Sequence, residues 1–321
     1  MRVLILFTAI VLSVCGFQEH EHWQSFKLKH NKTYNIVEEK LRFQIFKDNL
    51  KKIEEHNVRY EDGEVRYYLG VNQFADMTDE EFSDMLQLQV SNKPKIMANV
   101  QEFSKDLKVP DSINWLEKGA VLPIRDQGDC GSCWAFSSVA TIEGQNAIKN
   151  NVSIVLSPKQ LVDCSNSYGN GGCNGGNQFL AYTYIANFGI QSESSYPYST
   201  EKTECKYSAD DVATQISGYR RIQENEEDLK AAVGTIGPIS VTILADTLKL
   251  YAGGIYDDAE ACSGIYVNHG VVVIGYGTEE GIDYWLIKNS WGTSWGESGY
   301  LRLHRNYSVC GILLQMTYPV L

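Results

Sequence analysis

The stretch Gln127-Gly128-Asp129-Cys130-Gly131-Ser132-Cys133-Trp134-Ala135-Phe136-Ser137 constrains this chain more than any other. Its second cysteine opens an apolar run, Cys133 to Lys149, with Trp134, Phe136, Val139, Ala140, Ile142 and Ile148 spaced as a buried helix. A helix N-terminus offers unpaired N–H groups and a partial positive charge. Both favour thiolate over thiol at Cys133, and the thiolate is the nucleophile. Gln127, six residues earlier, carries an amide donor able to reach a developing oxyanion.

A nucleophilic cysteine needs a base. Of six histidines, His20, His22, His30 and His56 precede residue 91, leaving His269 and His304. His269, in Asn268-His269-Gly270-Val271, stands at the mouth of a buried strand, whereas His304, between Arg302 and Arg305, reads as structural or surface. Asn289, in Lys288-Asn289-Ser290-Trp291-Gly292, supplies a third group to orient an imidazole. Two other readings of the cysteines need weighing. Cys130 and Cys133 could form a redox pair before a helix, but no βαβ pattern precedes them. Cys130, Cys133, Cys164 and Cys173 could bind zinc, but the second pair is not a tight Cys-x-x-Cys.

The compartment follows from the N-terminus. Met1-Arg2 gives one positive charge, and Val3 to Val14 is an apolar run too short to span a bilayer but of signal-peptide length. Cleavage is expected after Gly16, so 1–16 is read as a leader and the remainder as secretory, where disulfides form. Asn31-Lys32-Thr33, Asn151-Val152-Ser153 and Asn306-Tyr307-Ser308 are glycosylation acceptors. No other apolar run is long enough to cross a membrane. The formal charge of −12 gives little reason to bind nucleic acid or anionic lipid.

Several segments have readable ends. Glu38, Arg42, Phe46, Asn49, Ile53 and Asn57 advance in steps of three and four, one side of a helix, with an expected Glu38–Arg42 ion pair. Thr78 and Glu81 form a capping box. Residues 91–108 lack apolar period and read as a linker. Their C-terminal side carries most of the acidity: residues 1–108 hold 15 basic and 17 acidic side chains, residues 109–321 hold 13 and 23. Beyond Val109 a helical half comes first. Ser157-Pro158-Lys159-Gln160 is a helix start, and Asn177 to Phe188 a third helix stopped by Gly189. A strand-rich half follows, with Ile239–Leu244, Gly270–Gly277, Ile282–Lys288 and Gly299–His304 as strands and Asn225–Val233 as a short helix.

The ordered blocks Gln127–Ser137, Asn268–Gly277 and Asn289–Gly296, with the expected spacing from Cys133 to His269, resemble the papain-like cysteine proteases, cathepsin L branch. The helical series from Glu38 to Asn57 and the residues Gly70, Asn72, Phe74 and Asp76 are similar to the propeptide motifs of that branch. The resemblance implies an α+β, two-domain fold: a helical left domain, a β-barrel-like right domain, and the active site in the cleft between them. It also implies a helical inhibitory propeptide over 17–108, lying backwards through the cleft, and a mature enzyme over 109–321, divided near 215/216. Cys133 would be nucleophile, His269 acid and base, Asn289 orienter and Gln127 the oxyanion donor. Trp291 would shield the His–Asn bond, and Gly175 and Gly176 would pair with substrate backbone.

Leaving aside Cys15 and Cys133, six cysteines allow 15 pairings; the resemblance implies Cys130–Cys173, Cys164–Cys205 and Cys262–Cys310. It implies neither metal nor cofactor. Expected partners are protein and peptide substrates, the chain's own propeptide and cystatin-type inhibitors, for a monomer in a lysosome, digestive lumen or extracellular space. The second subsite would be lined by Asn177, Gln178, Thr242, Val267 and Gln315. Four of these are polar, which predicts a preference shifted towards side chains offering a polar group. Two alternatives of different class are a catalytically silent inhibitory homologue and a peptide ligase using the same nucleophile; an intact Gln127, Cys133, His269 and Asn289 argues against the first.

Overall fold

The computed structural model describes residues 19–86, 100–201, 203–262, 266–305 and 308–321. The leader 1–16, the acceptor Asn306 and residues 91–99 of the linker lie outside the described residues.

The N-terminal part holds α1 (residues 19–29), α2 (Ile36–Glu61), β1 (Tyr67–Leu69), α3 (Asp79–Met85) and β2 (Val100–Gln101). Asn35 caps α2 by accepting from the N–H groups of Val37 and Glu38, and the steps of three and four bury Phe46, Asn49 and Ile53. Arg42 pairs more closely with Glu81 of α3, at 2.6 Å, than with Glu38, at 3.7 Å. Tertiary packing delivers a better-aimed carboxylate than the neighbouring helical turn does. Glu81 also accepts from the Thr78 N–H, so one side chain closes the capping box and ties α3 to α2. Trp23, Phe26, Phe46 and Ala75 form a small core that admits Leu250 from the C-terminal part.

Next come β3 (Ile113–Asn114), α4 (Cys133–Asn150), α5 (Pro158–Cys164) and α6 (Gln178–Phe188), with β4 (Ile190–Gln191) paired to β5 (Val212–Thr214). Ser157 caps α5 through the Gln160 N–H, Asn177 caps α6 through the Phe179 N–H, and Gly189, at φ 76°, ends α6. Trp134, Ile142, Leu161, Tyr182 and Ile185 build the core of this helical half. The remainder is β6 (Gly218–Ile222), α7 (Glu226–Thr235), β7 (Ile239–Ile243), β8 (Tyr251–Tyr256), β9 (His269–Glu279), β10 (Ile282–Lys288), β11 (Tyr300–His304) and β12 (Met316–Val320).

Apart from the separate β4–β5 pair, the strands form one sheet in the order β1-β8-β11-β10-β9-β7-β12-β6-β2, with β3 also on β9. This corrects the expected barrel-like closure: the sheet is open. Its two ends are satisfied by segments that precede residue 109, β1 antiparallel on β8 and β2 parallel on β6. An unpaired edge leaves a row of bare N–H and C=O groups, and these segments cover both. The strand β2 also corrects the reading of 91–108 as linker throughout. Cys130–Cys173, Cys164–Cys205 and Cys262–Cys310 are bonded, and Cys133 is the free cysteine among the described residues. Each bridge closes a span of 41 to 48 residues, worth about 4 kcal/mol in the chain-entropy account.

Candidate active site

Cys133 is the first residue of α4, and Ser132 before it makes no side-chain cap. The N–H groups there therefore stay available to the sulfur, and the backbones of Cys133, Trp134 and Gly270 favour its thiolate. Gly270 is closely approached: a Cβ there would meet Gln178 Nε2 at 2.8 Å and sit 3.3 Å from Cys133 O and from Trp134 Cα. This close approach brings β9, which begins at His269, against the start of α4.

His269 is fully buried. One ring nitrogen, Nε2, lies 2.7 Å from Asn289 Oδ1. An amide oxygen only accepts, so Nε2 carries the proton and donates. That leaves Nδ1 as a lone pair, and it has no hydrogen-bond partner among the described residues. The Trp291 indole stacks on the imidazole at 4.4 Å and 28°. Asn289 Oδ1 also accepts from the Ser290 N–H at 2.8 Å, which fixes the amide's orientation.

Burial overturns one electrostatic expectation. It pushes the Cys133 thiol up to about 11, against the backbone bonds that favour thiolate. It also pushes His269 down to about 4, against the bond that its Nε2–H donates to Asn289. Burial thus works against the charged form of both groups in this closed form. The helix terminus does favour the thiolate, but desolvation outweighs it here.

Gln127 is buried, and its amide is held at both ends: Nε2 donates to Cys130 O at 2.9 Å and Oε1 accepts from Ser290 Oγ at 2.7 Å. Ser290 was not singled out from the sequence, although it directly follows Asn289. Gly175, at φ 96°, adopts a backbone open to glycine, and a Cβ on Gly176 would strike the Trp134 ring at 2.5 Å. In the second-subsite set, Asn177 Nδ2 donates to Gln315 Oε1 at 3.2 Å, while Asn177 Oδ1 caps α6. Gln178 turns inward to Val241 O at 3.4 Å, Thr242 and Val267 are buried, and Thr242 Oγ1 has no partner among the described residues. Two of the expected lone amides thus bond each other. Cys130, Cys164 and Cys173 are all in disulfides, which removes both the zinc and the redox reading.

Residues before 109 reach this site. Phe74 and Phe82 set their edges on the Trp291 indole at 5.6 and 5.3 Å, and the Gln73 amide donates to Trp291 O. Asn72 Nδ2 donates to Lys249 O at 2.8 Å, and Gly70 N–H to Leu250 O at 2.9 Å. Asp76 accepts from Tyr34 and Lys32 within the N-terminal part.

Two family profiles match the chain: the papain family cysteine protease over residues 109–320, and the cathepsin propeptide inhibitor domain over 23–82. A cathepsin L-like proteinase of Phaedon cochleariae is 47% identical, with all of both chains covered. A digestive cysteine proteinase of Homarus americanus is 43% identical, again over the full length of both. Among solved structures, a digestive procathepsin L from the larval midgut of Tenebrio molitor is 43% identical with a TM-score of 0.88, covering 94% of this chain and 99% of that one.

Proposed function

The chain belongs to the papain family of cysteine proteases, as a cathepsin L-like zymogen carrying its own propeptide inhibitor domain, and from that premise we propose the roles of its residues. The fold is papain-like with a helical propeptide. Cys133 is the nucleophile, and the lone pair of His269 Nδ1 takes its proton. The thiolate attacks a peptide carbonyl, and the developing oxyanion is held by the Cys133 N–H and the Gln127 amide. The imidazolium then protonates the leaving amine as the C–N bond breaks. In the second half His269 draws a proton from water, which attacks the thioester and returns the thiolate. Asn289 keeps Nε2–H pointed away from the sulfur throughout, and Trp291 keeps water from their bond.

The observation that carries this reading is the buried His269–Asn289 bond, with Nδ1 unpartnered among the described residues and Gly270, next in the chain, against the start of α4. Cys133→Ala should abolish peptide hydrolysis while leaving the thermal midpoint near wild type; turnover surviving that change would remove Cys133 from the mechanism.

The same reading sets the boundaries: a leader over 1–16, a propeptide over 17–108, and a mature enzyme from Val109, with halves meeting near 215/216. The start of the papain family match at 109 supports the last cut. Substrate backbone pairs at Gly175 and Gly176, and Asn177, Gln178, Thr242, Val267 and Gln315 set the second subsite. The enzyme works as a monomer in a digestive or lysosomal lumen, where cystatin-type inhibitors would compete for the cleft; relatives named as digestive support the lumen. Asn31 and Asn151, at φ 51° and 53° on the surface, are the acceptors to examine first for glycan.

A further inference from the structure

Tyr198 lies outside every motif of the chain, yet its hydroxyl joins both sides of the oxyanion pocket. The hydroxyl donates to the Gln127 carbonyl at 2.7 Å and meets Ser132 Oγ at 2.7 Å. A tyrosine has one proton to give. With that proton on Gln127 O, the Ser132 hydroxyl must be the donor in the second bond. The result is a one-way chain, Ser132 to Tyr198 to Gln127. Ser132 immediately precedes Cys133, whose N–H is one proposed oxyanion donor, and the Gln127 amide is the other.

The ring of Tyr198 is placed independently of its hydroxyl. It sets an edge on Phe136 at 4.8 Å and 73°, and the Arg125 guanidinium lies over the same Phe136 ring at 5.1 Å. Its N–H donates to Glu193 Oε1 at 2.8 Å, and Glu193 Oε2 pairs with Arg125. Ring, backbone and hydroxyl thus have separate anchors, and only the hydroxyl reaches the pocket.

We propose that Tyr198 is a positioning residue for the oxyanion pocket, fixing the spacing between the Gln127 amide and the Cys133 N–H through its single hydroxyl. The inference rests on the oxyanion role proposed above for Gln127. Without the hydroxyl, Ser132 Oγ would fall back on Cys130 O, now 3.4 Å away, and Gln127 O would lose its partner.

The test uses the activated enzyme and three readouts. A peptide aldehyde forms a tetrahedral adduct whose oxygen occupies the pocket; a thiol-directed epoxide alkylates Cys133 without building an oxyanion there; kcat and KM report turnover. Losing an oxyanion donor outright costs about 100- to 1,000-fold in kcat, so Tyr198→Phe, acting at one remove, should cost roughly tenfold. KM, the epoxide rate and the thermal midpoint should hold, while aldehyde affinity falls with kcat. Ser132→Ala should move aldehyde affinity in the same direction and leave the epoxide rate unchanged. A Tyr198→Phe enzyme with unaltered kcat and aldehyde affinity would overturn the proposal, as would equal losses in the aldehyde and epoxide assays. Gln127→Ala separates the two levels. If it loses aldehyde affinity and Tyr198→Phe does not, only the Tyr198 inference fails; if Gln127→Ala keeps it, the oxyanion assignment fails and takes the inference with it.

Discussion

Lys249, on the protease side, holds Asp79, at the start of propeptide helix α3, across 2.5 Å. The ammonium is almost wholly buried, and its other partners, Met77 O and Asn49 Oδ1, also belong to the propeptide. One lysine is therefore inserted into the inhibitor. Replacing Asp79 with Asn leaves that cation without its countercharge. Charged hydrogen bonds of this kind contribute on the order of 1.5–3 kcal/mol, so the inhibition constant of the propeptide should rise roughly tenfold or more. Titrating mature enzyme with wild-type and Asp79→Asn propeptides checks this; equal constants would show that the pair contributes nothing.

The same pair would not loosen in mild acid. Burial raises the Asp79 carboxyl, but the bonds from Lys249 and Lys52 outweigh it and leave it below its ordinary 3.8. A depressed carboxyl stabilises docking above its unbound value, and that contribution fades only as pH falls towards the lower bound value. His30 is the better sensor. Burial, then the charges of Lys29 and Lys32, lower it from 6.5, with Asp76 opposing; its Nε2 has no partner among the described residues and its ring packs on Phe26 at 5.1 Å. A histidine held neutral in the folded state gives stability that is present above 6.5 and shrinks as pH falls below it. His30→Gln should therefore shift propeptide unfolding and self-processing to lower pH. Processing rates across pH 4–7 for both proteins provide the check, and an unshifted profile would exclude His30.

Phe82 is completely buried and sets its edge on the Trp291 indole. Truncating a buried aromatic side chain costs about 3–5 kcal/mol. Phe82→Ala should loosen the propeptide enough for the zymogen to hydrolyse a small peptide at neutral pH, before any cleavage of its own chain. A progress curve that still begins from zero rate would contradict this.

The Asn177–Gln315 bond alters the view of the second subsite taken from residue polarity alone. Those two amides satisfy each other, and a substrate side chain must break or join that bond to enter. A polar side chain can join it; leucine cannot. Gln315→Leu should raise kcat/KM for leucine and phenylalanine at that subsite by roughly tenfold, since it removes about 1–3 kcal/mol of unpaired amide. A peptide-library profile in which the wild-type enzyme already favours leucine as strongly as the variant would refute the assignment.

Much of this molecule was legible in the sequence where a local rule acts alone. Capping side chains at Thr78, Ser157, Asn177 and Asn225 mark helix starts because each satisfies N–H groups within its own first turn. The strands Ile239–Ile243 and Ile282–Lys288 announce themselves by β-branched and aromatic runs. By contrast, β8 carries Gly253 and Gly254, which read as a turn. The propeptide passes close to both: a Cβ on Gly254 would meet Arg66 O at 2.3 Å, and one on Gly253 the Tyr68 hydroxyl at 2.5 Å. Pro319 similarly disguises β12, and the two-residue strand at Val100 has no pattern to read. The open sheet was hidden because its edges are closed by a segment distant in sequence. In the candidate site, the motif residues were visible, but Ser290 and Tyr198 were not, since their roles depend on hydroxyl contacts 163 and 71 residues away. The desolvation that opposes the Cys133 thiolate was hidden too, because it belongs to the assembled fold and not to the helix start.

The most direct test of the account is the intact mass of the purified full-length chain after mild acid and reductant, with and without a thiol-directed epoxide. The account predicts a product beginning near Val109 that carries one adduct, on Cys133, and a Cys133→Ala chain that neither processes itself nor takes up label. A Cys133→Ala chain that still removes its own propeptide, or a processed wild-type enzyme that hydrolyses peptides while Cys133 stays unlabelled and the label sits elsewhere, would contradict it.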